Sequence, residues 1–395
     1  MAPKKKVDEA PKPILGRPSN NLKMGLVGLP NVGKSTTFNL LCKQQAKAEN
    51  YPFCTIDPNE ARMTVPDERF DWLSQVFKPA GNIPAYLTIF DIAGLVPGAH
   101  EGAGLGNAFL SHIQAVDGIF HVVRAFDDPD IIHSEGDVNP VNDLQTIYDE
   151  LRLKDLARIT STVEQLDRQT KHQKDKAKLK ELDILKNIMD HLGVKEKWIS
   201  DNTWKSDEVE VLNDYQFLTA KQVVYLVNMS KHDFARQKNK WLAKIHKWIQ
   251  EKSPGPVIPY SAELEMELAN CVDEASRAEL LKDCAAGKSM LPKIITTGYH
   301  NLNLIHYFTC GEKEVRCWTI RKGFKAPQAA GVIHTDFEKG FICADVYSYE
   351  AIREYGDEAK VKAAGKLMQK GKEYVVEDGD IIHFKFSTAG GNKKK

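Results

Sequence analysis

Several features that would place a chain in a specialised class are missing from this sequence of 395 residues. The seven cysteines form no Cys-x-x-Cys pair and are odd in number, which argues against a structural zinc site and a closed disulfide framework. No apolar run approaches the roughly 20 residues that a membrane-spanning helix needs. The first residues lack the apolar core of a secretory signal. We therefore expect a cytoplasmic protein without a membrane partner.

Net charge is also absent, because 54 Lys and Arg residues balance 54 Asp and Glu residues. This balance excludes a whole-surface polyanion binder but permits local basic patches. One patch, Lys4–Lys6, lies in a Pro- and Lys-rich tail over residues 1–20 that we expect to be disordered, and a second basic tail covers residues 389–395. Two interpretations of Lys4–Lys6 stay open: a solvated tail, or a nuclear-import or RNA-contacting signal that would give a nuclear or nucleolar pool.

Hydrophobic residues make up 42% of the chain, enough to form a core, and their pattern predicts an α/β fold. Short apolar runs alternate with helical segments, as in a mostly parallel sheet covered on both faces. The predicted strands are Met24–Val27, Tyr86–Phe90, Ile119–Val123, Val223–Val227 and Val257–Tyr260. We assign them to one domain formed by residues 21–141 and 205–303.

Two segments depart from this pattern. Residues 142–204 carry apolar residues at helical spacing and a Lys-rich run over Lys171–Lys186, which predicts an inserted helical arm resembling a coiled coil. The Lys run is interpreted as a solvated face, with RNA contact as the alternative. Residues 304–388 contain short strand-like runs between turns, which predicts a small β-rich C-terminal domain.

The segment Gly28–Ser35 matches the phosphate-binding pattern G-x-x-x-x-G-K-[ST], between a predicted strand and a predicted helix. Its glycines allow backbone N–H groups to surround phosphates, and the helix N-terminus adds a positive dipole. Lys34 is expected to bridge the β- and γ-phosphates as a catalytic group, and Ser35 to hold Mg²⁺. The predicted nucleotide contacts in this loop are Asn31, Val32, Gly33, Lys34, Ser35 and Thr36.

A second element, Asp91-Ile-Ala-Gly94, follows a predicted strand and matches the D-x-x-G element of switch GTPases. Asp91 is expected to reach Mg²⁺ through water, and the N–H of Gly94 to sense the γ-phosphate. Thr55 is the candidate threonine of the first switch and a further Mg²⁺ ligand. Where Ras-like enzymes place a water-orienting Gln, this chain has Leu95. Hydrolysis is therefore expected to be slow, rescued by a partner, or served by another polar group.

The base site is expected at Asn228-Met229-Ser230-Lys231, directly after a predicted strand. GTPases place an Asp at the fourth position, which accepts hydrogen bonds from guanine, whereas Lys231 only donates. Two alternatives stay open for Lys231: it points to solvent while backbone groups near Met229 read the base, or it donates to an adenine ring nitrogen. Asn228, Met229 and Ser261, which begins Ser-Ala-Glu after the last predicted strand, complete the predicted nucleotide contacts.

The chain resembles the Obg-like ATPases, the YchF group, over nearly its whole length beyond the N-terminal tail. The resemblance rests on Gly-Leu-Pro-Asn-Val-Gly-Lys-Ser, Asn-Tyr-Pro-Phe-Cys-Thr-Ile-Asp-Pro-Asn, Asp-Ile-Ala-Gly-Leu-Val and Gly-Leu-Gly-Asn-Ala-Phe-Leu. Motifs such as Glu-Val-Arg-Cys-Trp-Thr-Ile and Glu-Asp-Gly-Asp-Ile-Ile match that group's TGS domain, a β-grasp module. Family members usually carry Asn-x-x-Glu at the base site, so Lys231 departs from the family as well.

The resemblance implies a P-loop NTPase of the translation-factor class with a helical arm and a TGS domain. It implies an ATPase that accepts GTP less well and associates with ribosomes, the large subunit being the expected contact. The family's catalytic histidine falls on His133, which raises it above His100, the other histidine considered for orienting water. The P-loop asparagine linked to potassium-assisted hydrolysis falls on Asn31. A monomer is expected.

Three hypotheses follow. The first is a Mg²⁺-dependent ATPase that switches its loops with nucleotide state. The second is a ribosome- or RNA-binding regulatory module in which slow hydrolysis serves as a timer. The third is a true GTPase, which Leu95 permits and Lys231 disfavours.

Overall fold

The computed structural model describes residues 13–48, 59–95, 98, 106–131, 136–172, 175–282 and 284–387. The chain forms two compact units. The first contains the described residues of 1–18, 22–61 and 88–298, and the second those of 19–21, 62–87 and 299–395. Across the described ranges, no helix combines the length and apolar character needed to cross a membrane.

The strands of both units, in chain order, are β1 Lys23–Val27, β2 Glu60–Thr64, β3 Gly81–Ile83, β4 Tyr86–Asp91, β5 Gly118–Arg124, β6 Gln222–Asn228, β7 Val257–Tyr260, β8 Leu304–Cys310, β9 Glu314–Arg321, β10 Phe341–Ser348, β11 Met368–Lys370 and β12 Asp380–Phe386. The α-helices are α1 Lys34–Ala48, α2 Glu68–Phe77, α3 Gly106–Ala115, α4 Pro140–His172, α5 Lys176–Gly193, α6 Ser206–Tyr215, α7 Lys231–Ala235, α8 Leu242–Lys252, α9 Ala262–Asn270, α10 Glu274–Lys282, α11 Leu291–Asn301, α12 Ala326–Ile333, α13 Thr335–Lys339, α14 Tyr349–Tyr355 and α15 Glu358–Ala363. Short 3-10 helices cover Ile199–Asp201 and Leu218–Ala220.

The first unit is organised around a sheet with strand order β2-β4-β1-β5-β6-β7. The pairings β4–β1, β1–β5, β5–β6 and β6–β7 are all parallel, so their carboxyl ends share one edge. All seven residues of β5 are buried, including His121 and Arg124, and the burial of both faces explains why the rest of the strand lacks polar side chains. The five strands predicted for this domain are confirmed, with ends shifted by at most one residue. This edge is where ligands bind in open α/β sheets.

The predicted helical arm is present as the pair α4 and α5. Their facing sides share one apolar cluster that includes Ile159, Val163, Leu185 and Ile188. The Lys-rich run lies on the outside, where the side chains of Lys171 and Lys180 are 69% and 62% exposed and pair with Asp167 and Asp207. This exposure is compatible with both a solvated face and an RNA contact, so the two interpretations stay open.

The second unit contains a mixed sheet with strand order β11-β10-β12-β8-β9-β3. Side chains of α12, with Ala326, Ala329 and Ala330 fully buried, pack with Ile305 and Tyr307 of β8 in one apolar cluster. The strand-like runs predicted from the sequence in this region, Val315–Ile320, Phe341–Val346 and Ile381–Phe386, correspond to β9, β10 and β12. Residues 62–87 belong to this unit as well, whereas the sequence grouped them with the first domain. The predicted domain boundaries stay predictions.

Candidate nucleotide site

The loop between β1 and α1 has the backbone shape that a phosphate site requires. Asn31 and Gly33 adopt positive φ angles of 61° and 101°, a region that asparagine tolerates and glycine favours. A Cβ atom on Gly28 would lie 2.5 Å from the carbonyl oxygen of Val122, so only glycine fits there. Helix α1 begins at Lys34, at the carboxyl edge of the sheet. The loop and the helix N-terminus can therefore offer backbone N–H groups to an anion.

Lys34 lies inside this loop rather than on its surface. Its Nζ donates to the carbonyl oxygen of Leu29 at 2.6 Å, and only 7% of the residue is exposed. Burial lowers the pKa of Lys34 to about 8, partly opposed by the negative charge of Asp91. A cation at this position matches the expected contact with the β- and γ-phosphates.

The D-x-x-G element lies against the phosphate loop, as its role predicts. Leu95 donates its backbone N–H to the carbonyl oxygen of Gly28 at 3.2 Å. A Cβ atom on Gly94 would lie 3.2 Å from Lys34 Nζ and 3.1 Å from the backbone nitrogen of Pro30. The structure therefore brings together two motifs that are about sixty residues apart in the sequence.

The described residues can supply part of a magnesium site. Oδ1 of Asp91 is buried and has no hydrogen-bond partner among the described residues, which leaves it available to a water or a cation. Ser35 follows Lys34 in the first turn of α1 and is exposed. A hydroxyl and a carboxylate are hard oxygen ligands of the kind that Mg²⁺ prefers. Thr55, the third predicted ligand, lies outside the described residues, as do His133 and His100.

Asn228, at the end of β6, connects the phosphate loop to the base side. Its Nδ2 donates to the carbonyl oxygen of Val32 at 3.1 Å, and its Oδ1 accepts from the backbone N–H of Ala262 at 3.0 Å. A Cβ atom on Gly33 would come within 2.5 Å of this Nδ2. Two backbone partners thus fix the orientation of a side chain that is 3% exposed. A contact from this amide to a purine ring stays a prediction.

A cleft of about 560 Å³ opens beside Asn228. Its lining residues are Asn31, Gly33, Thr36, Phe126, Asp127, Asp128, Ile131, Asn228, Met229, Ser230, Ala262, Glu263 and Met266. The predicted contacts Asn31, Gly33, Thr36, Asn228 and Met229 are therefore gathered around one space. Ser261 does not line it, because its buried hydroxyl caps α9 by accepting from the N–H of Leu264 at 3.3 Å.

Lys231 is turned toward α9 rather than into the cleft. Its ammonium group bonds to the carboxylate of Glu267, and its backbone N–H donates to Oε2 of Glu263 at 3.1 Å. The side chain is 37% exposed, and it is absent from the cleft lining. Neither sequence alternative included a carboxylate partner, since Glu267 lies 36 residues further along the chain.

One wall of the cleft was not predicted from the sequence. Phe126, Asp127, Asp128 and Ile131 form this wall, and all four belong to the segment that follows β5. The position of that segment was the available signal, since the carboxyl ends of neighbouring parallel strands share an edge. Met266 on α9 was missed as well, whereas Glu263 belongs to the Ser-Ala-Glu segment that was predicted on the base side, although only Ser261 was named there as a contact.

Comparisons with known proteins agree with this geometry. Residues 23–159 match a family described as 50S ribosome-binding GTPase, and residues 304–387 match the YchF-type GTPase C-terminal family, described as a protein of unknown function. Proteins named Obg-like ATPase 1 from Oryza sativa subsp. japonica and Homo sapiens are each 54% identical, with 100% of this chain covered and 99% and 100% of theirs.

Among solved structures, the Schizosaccharomyces pombe YchF GTPase matches with a TM-score of 0.86 and 54% identity. The match covers 94% of this chain and 100% of that one. The similarity thus extends over both compact units.

Proposed function

The chain belongs to the Obg-like ATPase family, the YchF group of P-loop nucleotide hydrolases, and from this premise we propose that it hydrolyses ATP in preference to GTP. We further propose that it depends on Mg²⁺ and acts as a ribosome-associated switch in translation or its regulation.

The phosphate side of the site supports hydrolysis. Lys34 provides a cation inside the loop, and the adjacent backbone N–H groups can donate to the phosphates of a bound nucleoside triphosphate. Ser35, Asp91 through water and Thr55 are the proposed holders of Mg²⁺, which supplies charge neutralisation at the β- and γ-phosphates when bound. His133 is the proposed residue that orients the attacking water, because Leu95 has no polar group to do so.

The preference for ATP rests on the position of Lys231. A GTPase would have a carboxylate there that accepts from two guanine donors, whereas this chain has an ammonium group held by Glu267 outside the cleft lining. Each guanine donor buried without a partner would cost about 1–3 kcal/mol. Adenine lacks both donors. Because the N–H of Met229 already donates to Tyr260, we expect its carbonyl oxygen to accept from the adenine amine.

A specific observation keeps GTP as the second candidate. Glu263 lines the cleft and carries a carboxylate that can accept hydrogen bonds from a base. One of its oxygens already accepts from the backbone of Lys231, which leaves the second oxygen for a ligand. If guanine is the preferred base, Glu263 is the residue that we expect to read it.

Competitive hydrolysis of ATP and GTP, with Mg²⁺ and in potassium or sodium, tests the proposal. We expect ATP to be preferred, Lys34→Ala to abolish turnover, and potassium to raise the rate if Asn31 assists through this cation. Glu263→Gln is the matched variant, and its ATP preference should be unchanged. A GTP preference that disappears in Glu263→Gln would instead assign the base contact to Glu263 and refute the ATP assignment.

Association with ribosomes is supported by the description of the family that matches residues 23–159. The exposed Lys residues of the arm provide a surface for RNA phosphates. The proposed contact is the large subunit. In the alternative, the protein is mainly a ribosome- or RNA-binding module, and slow hydrolysis only resets its affinity.

A further inference from the structure

Arg124 is the last residue of β5, and it is buried to an unusual degree for an arginine. Only 1% of the residue is exposed, although its side chain carries a permanent charge. Burial lowers the pKa of Arg124, against the attraction of Asp128, Asp127 and Asp143. A desolvated guanidinium is costly, and among the described residues Nε and Nη2 have hydrogen-bond partners whereas the buried Nη1 has none. Its partners therefore indicate what it does.

Those partners belong to a single short loop. Nε donates to the carbonyl oxygen of Phe126 at 3.2 Å, and Nη2 donates to the carbonyl oxygens of Asp128 at 3.4 Å and Ile131 at 3.0 Å. The guanidinium also lies over the ring of Phe126, with its carbon 4.6 Å from the ring centroid. A rigid fork of five N–H donors suits three carbonyls in one loop better than a single ammonium group does.

The same loop forms one wall of the nucleotide cleft. Phe126, Asp128 and Ile131, whose carbonyls Arg124 holds, all line the cleft, and Met229 and Met266 lie among its other lining residues. Arg124 itself does not line it. We propose that Arg124 is a positioning residue that fixes this loop as the base-side wall, so that it determines base affinity without touching the base. The inference rests on the proposed function, in which the purine occupies this cleft.

A second, weaker support acts on the outer side of the loop and provides a matched control. Lys240 pairs with Asp127 at 2.8 Å, and the two side chains are 63% and 66% exposed. Exposed ion pairs contribute little to stability. If any disturbance of the loop were sufficient to weaken ATP binding, Lys240→Ala and a substitution of Arg124 would both weaken it. If the buried guanidinium is responsible, only the substitution of Arg124 should weaken ATP binding.

The decisive variant is Arg124→Lys, which keeps a cation but cannot bridge the three carbonyls. We expect the KM for ATP to rise about tenfold, while kcat stays within about twofold of the wild type. Competitive inhibition by inorganic tripolyphosphate, which has no base, should keep its wild-type inhibition constant, because the phosphate loop is unaltered. Lys240→Ala should change the KM for ATP by less than about twofold.

Each outcome decides the inference. An unchanged KM in Arg124→Lys, or an equal loss of tripolyphosphate inhibition, would refute the role as base-side support. If Arg124→Lys does not fold, Arg124→Gln removes the buried charge and keeps an amide donor that can reach fewer of the three carbonyls, and a selective rise in the KM for ATP is again required. Failure of the proposed function appears separately, as wild-type protein that does not turn over ATP.

Discussion

The charged group of Lys34 is buried, so the pH dependence of activity should report on its protonation. Burial lowers its pKa from 10.5 to about 8, so the free enzyme loses this positive charge as the pH rises through about 8. A neutral amine binds phosphate poorly. We therefore expect kcat/KM for ATP to fall by up to about tenfold per pH unit above that value.

The control for the pH profile of kcat/KM is the pH profile of kcat, measured at saturating ATP. Bound phosphates favour the ammonium form, so kcat should persist to a higher pH than kcat/KM does. Circular dichroism across the same range checks that the fold is intact. A kcat/KM that stays level up to pH 10 would show that the charge of Lys34 is not titrating in the free enzyme.

For single residues, the sequence predicted the phosphate loop and its neighbouring D-x-x-G element but not the side-chain contacts around the cleft. The motifs around Gly28 and Asp91 were sufficient because neighbours in sequence perform their roles. The contact between Lys231 and Glu267 depends on how α7 and α9 pack, and the hydrogen bonds of Arg124 depend on the conformation of the loop that follows it. Periodicity and spacing carry no information about such side-chain pairs.

Among the elements, α4 is linked by a buried carboxylate to the segment that precedes β6. Asp155 is 1% exposed, and it accepts from the backbone N–H groups of Leu218 and Thr219 at 3.1 and 2.8 Å and from the Thr219 hydroxyl at 2.8 Å. These partners lie in the 3-10 helix just before β6. The arm is thereby connected to the strand that ends at Asn228.

Asp155→Asn should therefore destabilise the protein by about 1–3 kcal/mol, because an amide group would face buried donors and leave at least one unsatisfied. Asp167→Asn, on the same helix but 37% exposed, is the control and should change the free energy of unfolding by less than about 0.5 kcal/mol. Urea denaturation compares them. Equal losses in both variants would contradict a special role for Asp155.

The strands and helices that were predicted correctly from the sequence have a clear pattern of apolar residues. The buried strand β5 consists mostly of apolar residues, and α4 carries apolar residues at helical spacing. Strands β2, β3, β8 and β11 were not predicted. Glu60–Thr64 is largely polar, and β3 and β11 have only three residues each, whereas the apolar run Leu304–Cys310 was simply not identified as a strand. Such short or polar strands form because a neighbouring strand supplies hydrogen bonds, which is a tertiary effect.

For the whole molecule, the proposal is a nucleotide-dependent association with ribosomes. Replacing Lys176, Lys178 and Lys180 of the arm with Gln should weaken co-sedimentation and flatten its salt dependence, because each phosphate contact contributes to that slope. Lys247→Gln, at a position that is 76% exposed on α8, is the control. If the amount of protein that co-sediments with ribosomes does not change with nucleotide, salt concentration or the arm substitutions, this mode of binding is excluded.

The pair formed by Lys231 and Glu267 also has an evolutionary consequence. Since neither side chain lines the cleft, exchanging the two charges would preserve the attraction between α7 and α9 and leave the base site as it is. Position 231 can then change sign during divergence, provided that position 267 changes with it. Relatives in which a Glu at the equivalent of 231 is paired in the same way should carry Lys or Arg at the equivalent of 267, whereas a Glu without such a partner would be available to accept hydrogen bonds from guanine.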